Sequence, residues 1–315
     1  MSASLDDLTA KVDAGEPLSV QDIAVLGSSR DIITLGMLAT TVRRRLRGNE
    51  VTYVRVADLK VSTTTEGQMG TIDVVPAFLG LSKPIGEGGR SADSAGEMRI
   101  FQTPQTLDSA VAVVEKARDL AGGVPLSAFC LFELGKLPEG LPVVLSALRK
   151  AGLETVTQAP IDRLAAPERA LEALADAGLQ LARLTVNDTP EREWTAVCLD
   201  VAALQTRLGA IRAFAPLART IDATQPTTGY EDVKRIAISR VLADNVDTIQ
   251  VDWALYGPKL AQVALTFGAD DIDSVAADDD ASQGRRRSPV EEIRRSIQAA
   301  GFEPVERDGR FKRRR

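Results

Sequence analysis

The chain contains no histidine. That absence removes the commonest general base near neutral pH and the commonest nitrogen ligand for a metal ion. Chemistry here must run on carboxylates, Lys, Tyr, Ser, Thr or thiols. Thiols are scarce as well: the two cysteines, Cys130 and Cys198, stand far apart among apolar neighbours. They form no metal-ligand spacing and no disulfide framework, which suits a reducing cytoplasm. Aromatics make up only 4% of the chain, and none accompanies the basic runs as a stacking platform for nucleic acid. A net charge of −6 argues against a surface that grips phosphates broadly. No run reaches the roughly 18 apolar residues that a membrane span needs. The start, MSASLDDLTAK, lacks the basic stretch and apolar core of a secretion signal. These absences predict a cytoplasmic protein without a membrane span that does not bind nucleic acid.

What is present is ordinary α/β material, 44% apolar and 26% charged over 315 residues. The clearest stretch runs from Thr227 to Ser274. Val233, Ile236, Ala237, Ile238, Val241 and Leu242 recur at helical spacing. Val246, Ile249, Val251 and Trp253 then form a β-prone run. Gly257-Pro258 opens a second helix, Lys259 to Phe267, because proline suits a first helical position. Gly268 closes it, and Asp271 to Val275 supplies another strand. A helix between two such strands predicts parallel pairing.

The same rhythm extends backward. Residues 5 to 47 read as helices, with Ser19 and Asp22 as a cap, and Arg43 to Arg47 read as a solvated last turn. Val51 to Val56 is a first strand. Helices follow at Leu107–Ala121, Leu141–Ala151, Pro167–Ala177 and Pro190–Leu208. They alternate with strands at Leu126–Phe132, Leu153–Val156, Leu181–Val186 and Ile211–Phe214. About seven alternations, with no dinucleotide fingerprint, predict a TIM-type (β/α) barrel, closed or incomplete, behind an N-terminal helical lead-in. The expected organisation is a lead-in over 1–50, a barrel over 51–275 with a Gly/Ser-rich insert at about 57–105, and a C-terminal loop, helix and basic tail over 276–315. Gly86, Gly88 and Gly89 are not followed by the lysine and serine of a phosphate loop. Asp278–Asp280, Arg285–Arg287 and the tail Lys312–Arg315 read as solvated, mobile charge.

The wording DNVDTIQVDWALYGPKLAQVALTFGADDID resembles the C-terminal part of radical S-adenosylmethionine enzymes of the aminofutalosine synthase type, which act in menaquinone biosynthesis. The stretches LGMLATTVRRRLRGNEVTYV and IRRSIQAAGFEPVERDGRF are similar to the family's lead-in and end. The resemblance implies a barrel using a 4Fe-4S cluster and S-adenosylmethionine, with the cluster held by Cys-x3-Cys-x2-Cys in the loop after the first strand. This chain departs there. The loop reads VADLKVSTTTEGQMGTIDVV, with Thr65, Met69 and Ile72 near the expected thiolates. None can replace an anionic sulfur on iron. The strand and glycine-bearing turn next to the cofactor also look dropped, since helix 107–121 runs directly into LSAFCLF. The family's histidines are gone, one of them near Asn187-Asp188-Thr189.

Two function classes follow. One is a cluster-less homologue, without a cofactor, that binds a small molecule or a catalytically competent family enzyme as partner. The other is non-radical chemistry on the same barrel, where sites lie at the C-terminal ends of the strands. For that reading the candidates are Glu133, Asn187, Asp188, Gln250, Asp252, Tyr256, Asp270 and Asp273. Ligand binding is expected of Asn187, Gln250, Asp252, Tyr256 and Asp270. Asp252 ends a buried strand, where a polar side chain needs a partner or a ligand. A core polar pair would satisfy it equally. Asp270, Asp271 and Asp273 could hold Mg²⁺ or Ca²⁺, but in DDID they also read as turn and cap residues.

Overall fold

The alternation folds as a TIM-type (β/α) barrel. The structure, a computed structural model, describes residues 5–64, 71–76, 95–188, 194–220, 227–277 and 289–314. Its strands are β1 (Glu50–Thr64), β2 (Thr71–Pro76), β3 (Glu97–Ile100), β4 (Leu126–Cys130), β5 (Thr155–Pro160), β6 (Gln180–Val186), β7 (Ala213–Ala218), β8 (Thr248–Asp252), β9 (Asp271–Ala276) and β10 (Glu303–Arg307). Helices α1 (Leu5–Ala14), α2 (Val20–Ser28) and α3 (Ile32–Arg47) lead in. After them come α4 (Leu107–Ala121), α5 (Leu131–Leu134), α6 (Leu141–Lys150), α7 (Pro167–Asp176) and α8 (Trp194–Leu208). The last are α9 (Gly229–Leu242), α10 (Trp253–Leu265) and α11 (Pro289–Ala299). The barrel strands run in the order β1, β3, β4, β5, β6, β7, β8, β9, and β9 pairs back to β1, so the barrel closes. Gly86, Gly88, Gly89, Asp278–Asp280, Arg285–Arg287, Thr65, Met69, Thr189 and Arg315 lie outside the described residues.

Contacts within the chain group it into two compact units. The first comprises residues 1–52, 185–272 and 294–304. Here the predicted cap is present: Ser19 and Asp22 form a capping box at the start of α2, and Lys11 ties α1 to it through a 2.7 Å ion pair with Asp22. Trp194 stacks on Phe214 with centroids 6.1 Å apart, fixing α8 over β7. The Arg43–Arg47 turn is not simply solvated. Arg43 is fully buried, lies over the Phe302 ring at 3.9 Å, and donates to the carbonyls of Ala269, Gly48 and Glu50. Its planar fork satisfies three chain turns at once, which a solvated charge would not. Gly268, at φ +102, is required where α10 turns into β9, because a Cβ there would lie 2.8 Å from Cβ of Arg240.

The second unit comprises residues 53–184, 273–293 and 305–315. It overturns two expectations. The second barrel strand is not dropped: β3 occupies Glu97–Ile100 within the Gly/Ser-rich stretch, parallel to β1 with Val56 opposite Glu97 and parallel to β4 with Met98 opposite Leu126. It escapes pattern reading because it has only four residues, two of them charged, and all four are buried. β1 also extends to Thr64 and pairs antiparallel with β2. The basic tail is held rather than mobile. Arg307 bridges to Arg313, Arg314 pairs with Glu306 at 2.8 Å, and Arg310 grips Glu154 with two hydrogen bonds of 2.7 and 2.9 Å. Gly96 lets β10 approach closely, since a Cβ there would lie 2.7 Å from the Arg307 carbonyl.

Candidate functional site

In the second unit the barrel strands carry a buried charge network. Arg99 of β3 donates Nε and Nη2 to the two oxygens of Glu97, both within 2.9 Å. It also donates Nη2 and Nη1 to the two oxygens of Asp273 on β9, at 2.9 and 3.1 Å, and Nη1 to Ser274. All five guanidinium N–H groups are thereby used. Arg183 of β6 also pairs with Asp273. Ser127 donates to Glu97 at 2.5 Å, and Thr157 donates to Ser127. Burial opposes ionisation of Asp273, but Arg183 and Arg99 outweigh it and hold the carboxyl far below its ordinary value. Burial likewise works against the Arg99 cation, and Asp273 and Glu97 reverse that. Two non-glycine residues beside this network take left-handed backbone, Phe129 at φ 64 and Ser274 at φ 58. Such conformations persist only where the surroundings impose them. For Ser274, the Oγ accepting from Arg99 is one such tie.

In the first unit, polar groups gather at the C-terminal ends of β6, β7 and β8. Asp252 ends β8 and caps α10 by accepting from the Leu255 N–H at 2.9 Å. Its other oxygen pairs with Arg219 at 2.7 Å. Tyr256 donates its hydroxyl to the Ala218 carbonyl, and burial raises its phenol above the usual range. The kink that lets Asp252 and Tyr256 share one short turn is Gly257 at φ 75, followed by Pro258. Asn187 accepts from the Thr220 hydroxyl at 3.1 Å. Gln250 donates to Asp271 at 2.9 Å, and Thr52 donates to the other oxygen of Asp271. Two buried oxygens here, Thr185 Oγ1 and Gln250 Oε1, have no hydrogen-bond partner among the described residues. A buried unmatched polar atom costs about 1–3 kcal/mol, so such atoms mark where another molecule can supply the partner.

The structure therefore brings Asp252 and Tyr256 together at the end of β8, with Gln250 two residues earlier in that strand and Asn187 just beyond β6, one strand removed. Asp270 does not join them. It precedes β9, at the entrance of the strand, where it accepts from Arg240 at 2.7 Å and from the Ile249 N–H at 3.0 Å. Burial raises its carboxyl, against the pull of Arg240, Arg47 and Arg43. Asp273 is spent in the charge network, and Glu133 pairs with Lys136 at 2.9 Å on the short helix α5. Asp188 directly follows Asn187 beyond β6. Among the described residues no group of three His, Cys, Asp or Glu side chains is arranged to hold a metal ion. Sequence reasoning missed Arg99, Arg183 and Thr185. The signal was a charged or hydroxyl residue inside an apolar strand, as in EMRI and QLARLTV.

A cluster held by three thiolates does not fit this chain, which has only two cysteines. Cys198 is fully buried, and burial pushes its thiol up to about 12 despite a contact with the Ser239 hydroxyl. Burial also raises Cys130, at the end of β4. A thiolate ligand needs a lowered pKa, and neither environment provides one. No helix among the described residues is long and apolar enough to cross a membrane.

Residues 214–315 match the family model described as the CofH/MqnC C-terminal region. The chain is 25% identical to aminodeoxyfutalosine synthase of Thermus thermophilus, over 97% of this chain and 94% of that protein. A shorter segment of 94 residues, 28% of this chain and 24% of that protein, is 39% identical to aminodeoxyfutalosine synthase of Streptomyces coelicolor. Among solved structures, methylornithine synthase (PylB) superposes with a TM-score of 0.63 at 15% identity, over 95% of this chain and 97% of that one. At that identity the last likeness is one of fold.

Proposed function

We propose that the chain belongs to the CofH/MqnC family of radical-SAM-type barrels, keeps the barrel as a binding scaffold and does not run the cluster chemistry. The observation that carries this reading is the thiol count. Two isolated cysteines cannot supply the three soft anionic ligands of a site-differentiated 4Fe-4S cluster. The charge network supports it, because Arg99 has spent every donor on Glu97, Asp273 and Ser274 of the protein itself. The ligand we assign to the scaffold is a small nucleoside of the kind made by aminodeoxyfutalosine synthases, which places the protein in or near menaquinone biosynthesis. Asn187, Gln250, Asp252 and Tyr256 are its contacts, and the open oxygens of Gln250 and Thr185 give it hydrogen-bonding positions.

Calorimetric titration with aminodeoxyfutalosine, and separately with S-adenosylmethionine, tests the assignment. The expected result is saturable heat with the nucleoside that weakens in Gln250→Ala. Absence of nucleoside binding, or binding indifferent to Gln250, would overturn it.

A further inference from the structure

A second hollow lies in the first unit, away from the strand ends. It has a volume of about 450 Å³ and is lined by α2, α8 and α9 through residues that include Gly27, Ser28, Trp194, Thr195, Lys234 and Arg235. That is enough room for a small organic ligand. Among the described residues the lining contains two cations and no acid. Arg235 is 7% exposed, and its Nε has no hydrogen-bond partner among the described residues. Its guanidinium sits over the Trp194 ring at 5.5 Å, and its carbonyl accepts from the Trp194 indole N–H at 3.1 Å. The ring and the backbone therefore fix where the cation points. Asp232, one turn earlier on α9, acts on Arg235 through space, and burial raises that carboxyl above its ordinary value.

A buried guanidinium without a bonded anion is costly, and in most interiors an acid or a carbonyl answers it. Arg43, Arg99 and Arg240 of this chain are answered in that way. Arg235 has no bonded anion among the described residues, and it faces an open volume beside Lys234. Thr195 adds a hydroxyl in the first turn of α8, where the helix dipole also favours negative charge.

We propose that this hollow is an anion-binding site for a small phosphorylated molecule. Arg235 and Lys234 neutralise the phosphate, Thr195 donates to it, and the Trp194 ring orients Arg235. A phosphate fits better than a single carboxylate, because the dianion uses both cations and the helix end together.

The test uses inorganic phosphate on the whole chain, followed by calorimetry and tryptophan fluorescence, with acetate as the carboxylate probe. Phosphate should saturate and change the Trp194 signal, while acetate should not compete at equal concentration. Arg235→Gln should weaken phosphate binding by about tenfold or more, the loss expected for one charge-assisted hydrogen bond. Lys234→Gln, a change at a half-buried surface position, should weaken it as well, so the site stays testable if the Arg235 variant folds poorly. Absence of phosphate binding, acetate binding in its place, or affinity unchanged in Lys234→Gln would overturn the proposal.

Discussion

Replacing Arg99 by Met gives the sharpest test of the buried network. Arg99 is 1% exposed and its five donors are all engaged, four on Glu97 and Asp273 and one on Ser274. Met fills a similar volume, so the cavity term is small. The loss comes from the carboxylates. Asp273 keeps Arg183, whereas Glu97 keeps only the Ser127 hydroxyl. Removing one partner from a buried pair typically costs about 3–5 kcal/mol, because it strands the other charge. Against a total stability of about 5–15 kcal/mol for a domain, that is a large fraction. Arg99→Met should therefore lose about 3–5 kcal/mol in guanidinium unfolding at neutral pH. The double variant Arg99→Met, Glu97→Gln should regain part of the loss, because an amide costs less to bury than an unpaired carboxylate. Arg99→Lys should fall between, keeping the charge without the double fork. A loss under about 1 kcal/mol for Arg99→Met, or no recovery with Glu97→Gln, would refute the reasoning.

Four further outcomes can be checked. Asp22 has a folded pKa of about 2 against 3.8 unfolded, lowered by Lys11 and Ser19. Its stabilising contribution is therefore complete above pH 3.8 and lost as pH falls through about 2, so Asp22→Asn should flatten acid unfolding monitored by circular dichroism in that window. Cys198 should resist thiol reagents in the native state, because its thiol is buried and pushed up to about 12, and should label fully in guanidinium. Gly268→Ala should cost about 2–4 kcal/mol from positive φ and overlap with Arg240. Gly122→Ala, at φ 56 with open space around it, should cost only about 1–2 kcal/mol by thermal unfolding.

Much of the fold is legible in the sequence where periodicity and punctuation coincide. The capping residues Ser19 and Asp22, the helix at Leu107–Ala121 and the Gly257-Pro258 break all stand where pattern reading puts them. β3 was hidden because burial in a barrel interior does not require apolar residues when charges neutralise one another. In EMRI Glu97 and Arg99 share one face of the strand and Met98 and Ile100 the other, and all four are buried, so neither a polar-exposed alternation nor an apolar run marks it. The same physics hid the network, since its members come from β3, β4, β5, β6 and β9 and meet only once register is known. Asp252 was readable as a polar residue ending a buried strand, and its capping of α10 accounts for one of its two oxygens. Asp270 and Asp273 lie in one short acidic run, yet one answers Arg240 at the strand entrance and the other answers Arg99 and Arg183 within the strand. Spacing alone could not separate those roles.

The proposed function requires that this barrel persist without an iron cluster. Anaerobic purification and reconstitution with iron and sulfide, followed by quantitation of both and by visible absorbance, tests it most directly. Iron and sulfide should stay far below stoichiometric levels after desalting, with no cluster absorbance. Four irons and four sulfides retained per chain, the content of one such cluster, would contradict it.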